Sequence, residues 1–227
     1  MKIAATSDLH GHLPEVPRCD VLIVAGDLGP ASQTYHFDQE ARRGWLINEF
    51  SPWCQSQSAG DVVVIGGNHD FALADDGYPC IKHLPRVHYL QDSAVTIKGV
   101  KFYGSPWTPP FFTLAFMESE EELAKRWEAI PDDVDVLITH GPPHGIGDQN
   151  RQGEHCGSRS LREWRDTTRN LPRLHVWGHI HEARGQHGEN WANVSLLDER
   201  YRPRGRILMT EVQQRRYATR GENRPNP

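Results

Sequence analysis

Seven side chains able to hold a metal ion stand just beyond short apolar runs of this 227-residue chain. Asp8 and His10 follow residues 3–7, Asp27 follows residues 21–25, and Asn68 follows residues 62–65. His140 follows residues 134–139, and His179 and His181 follow residues 174–177. Three carboxylate or amide oxygens and four imidazoles form a mixed donor set suited to Mn, Fe, Zn, Ni or Co rather than to Ca or Mg alone. Seven ligands are too many for one ion. Two divalent ions sharing one carboxylate, roughly 3.5–4 Å apart, would acidify a water between them and neutralise charge on a phosphoryl oxygen. Taken singly, each residue reads as a cap or a turn former. Their recurrence at five strand ends is what carries the metal reading.

The elements that must position these groups are legible as patterns. The β-branched run Val62-Val63-Val64-Ile65 reads as a strand buried on both faces, ended by Gly66-Gly67. In an open α/β sheet the ligand crevice lies beyond the carboxyl ends of the strands, where Asn68, His69 and Asp70 arrive. Asp8 and His10, two apart, are expected on one side of an extended segment. Periodicity predicts a helix over 39–50, with Phe37, Ala41, Trp45 and Phe50 on its apolar face and Ser51-Pro52 closing it. Ser119 to Glu122 reads as a capping box for a second helix, striped by Leu123, Trp127 and Ile130. A third spans 160–170, with Leu161, Trp164 and Leu171 facing inward. Strands are predicted over 87–90, 94–97 and 100–103, the last two joined by Lys98-Gly99, and over 191–197 and 207–212. The aromatic, Pro-rich stretch 104–112 reads as a rigid connection packed on the core. The Gly-rich loop 144–158 is long enough to suggest function, and carries His144, Asp148, Arg151 and His155, with Arg159 nearby.

Bulk properties bound the function. At 37% hydrophobic and 24% charged, the chain suits one α/β domain over 1–212, with a polar, aperiodic tail over 213–227 expected to be mobile. A net charge of -5 provides no global basic field, so long nucleic acid is not expected as a partner. The four cysteines are scattered without a Cys-x-x-Cys pair, which argues against a zinc knuckle or a disulfide framework. No apolar run approaches membrane-spanning length, and the chain opens directly on a strand, which reads as no signal peptide. The expectation is a soluble, cytoplasmic protein with no membrane partner. Oligomeric state is not legible.

At the residues named above the chain resembles the calcineurin-like metallophosphoesterase superfamily. Asp8-x-His10, Gly26-Asp27, Gly67-Asn68-His69-Asp70, His140 and Gly178-His179-x-His181 match its motif series. A narrower resemblance, to the metallophosphoesterase-domain-containing (MPPED) phosphodiesterases, runs from Lys101-Phe102-Tyr103-Gly104-Ser105-Pro106-Trp107 through Ile138-Thr139-His140-Gly141-Pro142-Pro143 to His181-Glu182. Some animal members carry Gly where His179 stands, and the His here implies a fully occupied metal pair. The resemblance implies a four-layer α/β/β/α sandwich, with the region 87–103 contributing to the second sheet. It implies that Asp8, His10 and His181 hold one metal, that Asn68, His140 and His179 hold the other, and that Asp27 bridges. His69 would face the substrate, stabilising the transition state or protonating the leaving oxygen, with Asp70 orienting its ring.

The implied reaction is in-line attack by a hydroxide held between two ions, Mn foremost, on a small phosphodiester. Cyclic nucleotides, 2',3' or 3',5', or related nucleotides are the implied substrates. His144, Arg151 and His155, with Arg159, are candidates to read a base or a distal phosphate; the bland alternative is a solvated polar lid. Rival readings are a phosphomonoesterase, a dinucleoside-polyphosphate hydrolase or a nuclease on the same scaffold. A non-catalytic, metal-dependent nucleotide-binding module is a further one, but it would be expected to have lost ligands, or His69 and Asp70.

Overall fold

The structure, a computed structural model, describes residues 1–32, 38–76, 81 and 83–213. Phe37 and the tail from residue 214 onward lie outside these residues. Strands β1 (Lys2–Thr6), β2 (Cys19–Ala25), β3 (Ala59–Ile65) and β4 (Val87–Tyr89) pair in parallel in that order. The second sheet holds β5 (Ser93–Ile97), β6 (Val100–Ser105), β7 (Val136–Thr139), β8 (Leu174–Trp177), β9 (Gly185–Gln186) and β10 (Trp191–Asn193). Its order is β5-β6-β7-β8-β10-β9, parallel from β6 to β10 with antiparallel edges. A last strand, β11 (Leu208–Glu211), closes the first sheet antiparallel to β1. The helices bounded by described residues are α1 (Gln39–Trp45), α2 (Ser51–Ser56), α3 (Phe71–Asp76), α4 (Glu120–Glu128) and α5 (Arg159–Thr167).

Period-two alternation builds the layers. Ala4, Leu22, Val24, Val62 and Val64 pack with Leu46, Phe50 and Trp53 on the helical side. Their neighbours Ile3, Ala5, Val21, Ile23, Val63 and Ile65 pack against Phe102, Val136, Ile138 and Val176 of the second sheet. Tyr103 and Leu137, on the far side of that sheet, meet Leu123, Trp127, Ile130 and Leu161. Because every interior strand is covered twice, its residues read as continuous apolar runs. The result is the expected four-layer α/β/β/α sandwich.

Four local expectations are corrected. Ser51-Pro52 does not end the first helix. A π turn, Leu46–Phe50, joins α1 to α2, the Ser51 amide reaches Leu46 O, and Pro52 falls in the first turn of α2, where a missing N–H leaves nothing unpaired. The region 87–103 is split between the sheets: β4 joins the first through Val62 N–H to Arg86 O (2.7 Å) and Leu90 N–H to Val64 O (2.8 Å), and β5 and β6 join the second. Helix α5 stops at Thr167, which leaves Leu171 exposed. The closing strand stops at Asn193, and the chain then crosses to the first sheet, where Val194 O accepts from Ser7 N–H (3.0 Å) and Leu196 N–H donates to Ser7 O (2.8 Å).

Phe50, fully buried beside the π turn, lies with its ring 5.8 Å from Trp45 and 5.6 Å from Trp53. Phe50→Ala is expected to remove about 3–5 kcal/mol of stability. In urea the midpoint should fall with the slope unchanged; an unmoved midpoint would contradict this packing.

Candidate metal centre and substrate cleft

The parallel strands of both sheets deliver their polar residues to one place. Asp8 and His10 follow β1, Asp27 follows β2, Asn68 follows β3, His140 follows β7, and His179 and His181 follow β8. The turns themselves are bonded together. Asp8 N–H donates to Gly26 O (3.0 Å), His10 N–H to Asp27 O (2.9 Å), and Gly178 N–H to His140 O (2.9 Å). Asp8 (φ 53°), His10 (φ 40°), Asp27 (φ 54°) and His179 (φ 67°) adopt left-handed backbone. The extended geometry expected of Asp8 and His10 is therefore replaced by a tight reversal, the kind of backbone strain that concentrates at functional sites. Gly178 lets the turns close this far: a Cβ there would run into the Asp8 carboxylate and the Ser7 hydroxyl.

Side-chain donors converge within the space that the turns enclose. Ligand atoms of Asp8, His10 and His181 all lie within 4.8 Å of one another, as do those of Asp8, Asp27 and His140. Asp27 Oδ2 lies 3.6 Å from His10 Nε2 and 3.4 Å from His140 Nε2. Asn68 Oδ1 lies 2.8 Å from both His140 Nε2 and His179 Nδ1. The opposite nitrogens of two rings face backbone carbonyls, His140 Nδ1 at Ala25 O (2.9 Å) and His181 Nδ1 at Asp198 O (3.0 Å). Donating there fixes the tautomer, and each ring then turns an Nε2 lone pair inward, as metal-ligating histidines do. An imidazole lone pair set 2.8 Å from the Asn68 carbonyl oxygen requires a cation beside them, a proton or a metal ion. His10 Nδ1 is buried with no hydrogen-bond partner. This donor set fits divalent transition ions.

Burial opposes charge on all of these groups, and the carboxylate–imidazole contacts decide which keep it. Burial pushes Asp8 up, yet His181 and His140 hold it below the ordinary carboxylate range. Asp27 is held well below that range, against the same penalty, by His140 and His69. Burial alone would lower His140 and His181; Asp27 pushes the first, and Asp8 the second, up to about 9. At His10 and His179 burial wins, and they fall to about 4 and about 3.

The centre opens into a cleft of about 810 Å³, lined by His10, Asp27, Asn68, His69, His179 and His181 at its floor. His69 donates its backbone N–H to Asp27 Oδ1 (2.8 Å), and its ring meets the edge of His10 at 5.1 Å. His144 and His155 line the wall, as does Arg159. Arg151 is not among the lining residues, but its guanidinium pairs at 2.5 Å with Glu199, which is. The loop is built around the buried Asp148 carboxylate, which accepts from Gly145 N–H (2.9 Å) and Gly157 N–H (3.1 Å) and holds His155 Nδ1 (2.7 Å). Its neck is closed by His144 N–H to Ser158 O (2.9 Å). The aromatic stretch 104–112 does not bury all its rings, because Phe111 and Phe112 stand exposed in the cleft.

The resemblance sets Asp70 to orient the His69 ring, whereas the hydrogen bonds of its carboxylate run to backbone amides. Its carboxylate accepts from the amides of Leu28 (3.0 Å) and Gly67 (2.8 Å), bracing the Asp27 turn against the Asn68 turn. Burial and neighbouring Asp27 push it up to about 7. Two contributors escaped sequence reasoning. Tyr201 packs its ring against His10 (4.7 Å) and His181 (5.6 Å), and Asn193 Nδ2 donates to Ile180 O (2.8 Å), clasping the His179–His181 turn. Tyr201 lies in no motif or periodic run, and the strand predicted over 191–197 did not mark Asn193 as a site residue.

A fold of this layering with an Asp/His/Asn cluster at its strand ends defines a class, and the family model for calcineurin-like phosphoesterases matches residues 1–183. The chain belongs to that family and is a metal-dependent phosphoesterase. Among individual relatives it is similar to metallophosphoesterase domain-containing protein 1 of Homo sapiens, 32% identical over 235 residues that cover 89% of this chain and 68% of the relative. It is also similar to UPF0046 protein K07C11.7 of Caenorhabditis elegans, 34% identical over 207 residues, 82% of this chain and 65% of the relative. One solved structure superposes with a TM-score of 0.63 over 92% of this chain and 98% of its own, at 15% identity, which shows a shared fold. Among the described residues no helix is long and apolar enough to cross a membrane.

The bonds of Asp70 generate a test. Asp70→Asn puts an amide donor among backbone donors and is expected to cost about 1–3 kcal/mol of stability. Mn2+ affinity, measured by titration calorimetry, should weaken with it, because the Asp27 and Asn68 turns lose their common brace. A variant that binds Mn2+ normally and loses only kcat would restore Asp70 to orienting His69.

Proposed function

We propose that the chain is a two-metal phosphodiesterase for small diesters, with cyclic nucleotides as the first candidates. The observation that carries this reading is the place of Asp27, whose Oδ2 lies between His10 Nε2 at 3.6 Å and His140 Nε2 at 3.4 Å. A carboxylate so placed suits two ions at once. Asp8, His10 and His181 would hold one ion and Asn68, His140 and His179 the other, with Mn the first choice for this nitrogen-rich set. Two such ions supply an acidified water and neutralise charge on the phosphoryl oxygens.

The chain's own residues then divide the remaining work. The Asp8 and Asp27 carboxylates, kept ionised by the imidazoles beside them, stand ready as anionic ligands. His69 lines the cleft next to the ligands, its backbone amide held by Asp27, and would donate a proton to the departing oxygen. The charge of the wall favours diesters. Among the described residues lining the cleft, Arg159 is the one Arg or Lys, against Glu120, Glu182 and Glu199, of which Glu199 is paired with Arg151. A monoester carries about one more negative charge than a diester at neutral pH, and it would meet those carboxylates without a compensating cluster. Cys19, Cys54 and Cys156 form no disulfide among the described residues, which fits a reducing, cytoplasmic setting. A single domain over 1–212 is part of the same reading.

Metal-stripped protein should hydrolyse neither 2',3'-cyclic AMP nor bis(4-nitrophenyl) phosphate, and Mn2+ should restore activity better than Ca2+. AMP should be turned over with lower kcat/KM than the best diester. A monophosphate that outperforms every diester tested would remove the phosphodiesterase assignment and leave the broader one.

His69→Ala should keep full metal content by elemental analysis and lose roughly 10²- to 10⁴-fold in kcat for an alkoxide leaving group. For a nitrophenolate, which departs without a proton, the loss should be much smaller. Equal losses on both substrates would make His69 a stabiliser of phosphoryl charge instead.

A further inference from the structure

Exposed apolar surface is concentrated where the substrate must sit. Six large hydrophobic side chains are exposed among the described residues, and three of them, Phe111, Phe112 and Tyr201, line the cleft. Phe111 is 59% and Phe112 82% exposed, with ring centroids 4.5 Å apart in an edge-to-face arrangement. Leaving two phenyl rings in water forfeits the burial that ordinarily keeps such residues in the core. No step assigned to the metal ligands or to His69 uses them.

The backbone beneath the pair is strained and tied down. Phe112 has φ of 59°, left-handed backbone that a bulky side chain rarely takes. Such a conformation persists where the surrounding structure over-determines it, and ligand clamps are among the places where it occurs. Here Thr108 N–H donates to Phe116 O (2.9 Å) and Glu118 N–H to Thr108 O (3.2 Å), closing the neck of the loop. Ala115 N–H donates to Asn68 O (3.0 Å), fastening the loop to the backbone of a proposed metal ligand. At its base, Trp107 lies under the Arg126 guanidinium at 3.6 Å and donates Nε1–H to Asp92 (2.7 Å). The rings are therefore anchored relative to the site where the phosphoryl group binds.

We propose that Phe111 and Phe112 form a stacking shelf for a flat heteroaromatic ring carried by the substrate, a nucleobase joined to the diester held at the metal centre. This inference rests on the phosphodiesterase reading above and adds what selects among diesters. A base has apolar faces and a polar edge. Its face would stack on one phenyl ring and meet the edge of the other, while Arg159 on the cleft wall is at hand for the polar edge. Stacking grows with ring area and ignores the hydrogen-bond pattern, so purines should rank above pyrimidines. An aliphatic diester draws no benefit from the shelf.

The test compares the Mn-loaded wild type with a Phe111→Ala, Phe112→Gly double variant, Gly being the residue that accepts the backbone of position 112 without strain. Base stacking of ~1–3 kcal/mol converts to about 5- to 150-fold in affinity. The ratio of KM for 2',3'-cyclic AMP to KM for glycerophosphoethanolamine should rise by a factor in that range, and the preference for 2',3'-cyclic AMP over 2',3'-cyclic CMP should shrink. Leu171→Ala, an exposed apolar truncation outside the cleft, should leave the ratio unchanged. Independently of turnover, wild type should quench the fluorescence of 2-aminopurine riboside monophosphate, and the double variant should not. An unchanged ratio overturns the shelf, and so does an equal rise in both KM values, which would give the loop a role only in holding Asn68. If the wild type hydrolyses no diester, the phosphodiesterase reading fails, and the quenching experiment alone decides whether the rings hold a base.

Discussion

Burying the Asp8 carboxylate at the end of β1 carries a desolvation penalty on the order of several kcal/mol that only charge and hydrogen bonds around it can offset. The compensation is assembled from distant parts of the chain. The His179 amide donates to both Asp8 oxygens (3.0 and 3.1 Å), and the His181 ring stands 3.3 Å away. His181 is held in turn by Asp198 O, and the Asp198 carboxylate is pinned by Arg202. Asn193 clasps the turn from behind. Because every partner sits in the same low-dielectric space, loosening one raises the penalty on the others. A divalent cation bound among these donors would offset the same penalty.

The same constraint explains why the two sheets meet as they do. The chain leaving β10 passes its Val194 carbonyl and Leu196 amide to Ser7, one residue before Asp8. The sandwich is thus stitched at the end where its charge is buried, and the apolar layers below need only pack. The cleft above that end is divided by chemistry. Its floor is imidazole and carboxylate, one part of the rim is aromatic, and the remaining wall mixes Arg159 and two histidines with glutamates.

What was legible in the sequence is what is local. A β-branched run, a glycine and a donor residue are neighbours in the chain, so the turns beyond β1, β2, β3, β7 and β8 could be found without coordinates. The unbroken apolar run at residues 62–65 likewise implied cover on both faces. What escaped depends on contacts far apart in sequence. Whether the Asp70 carboxylate reaches His69 or the Leu28 amide is settled by a turn 42 residues away. Arg151 and Arg159 are the same residue type on one segment, and only the wrap of the loop around Asp148 decides which one faces the cleft. Pro52 signals a helix end by itself, but a π turn upstream absorbs it. Tyr201 arrives at His10 from a loop with no periodicity at all.

The loop anchored on Asp148 is closed at its neck and internally bonded, so its ends are fixed in space. It has the character of an interchangeable part. Lengthening, shortening or rewriting the residues beyond the neck would reshape one side of the cleft while His140, just upstream, kept its bond to Ala25 and its place beside Asn68. A scaffold organised this way separates the part that shapes the cleft from the part that holds the metal-ligand turns.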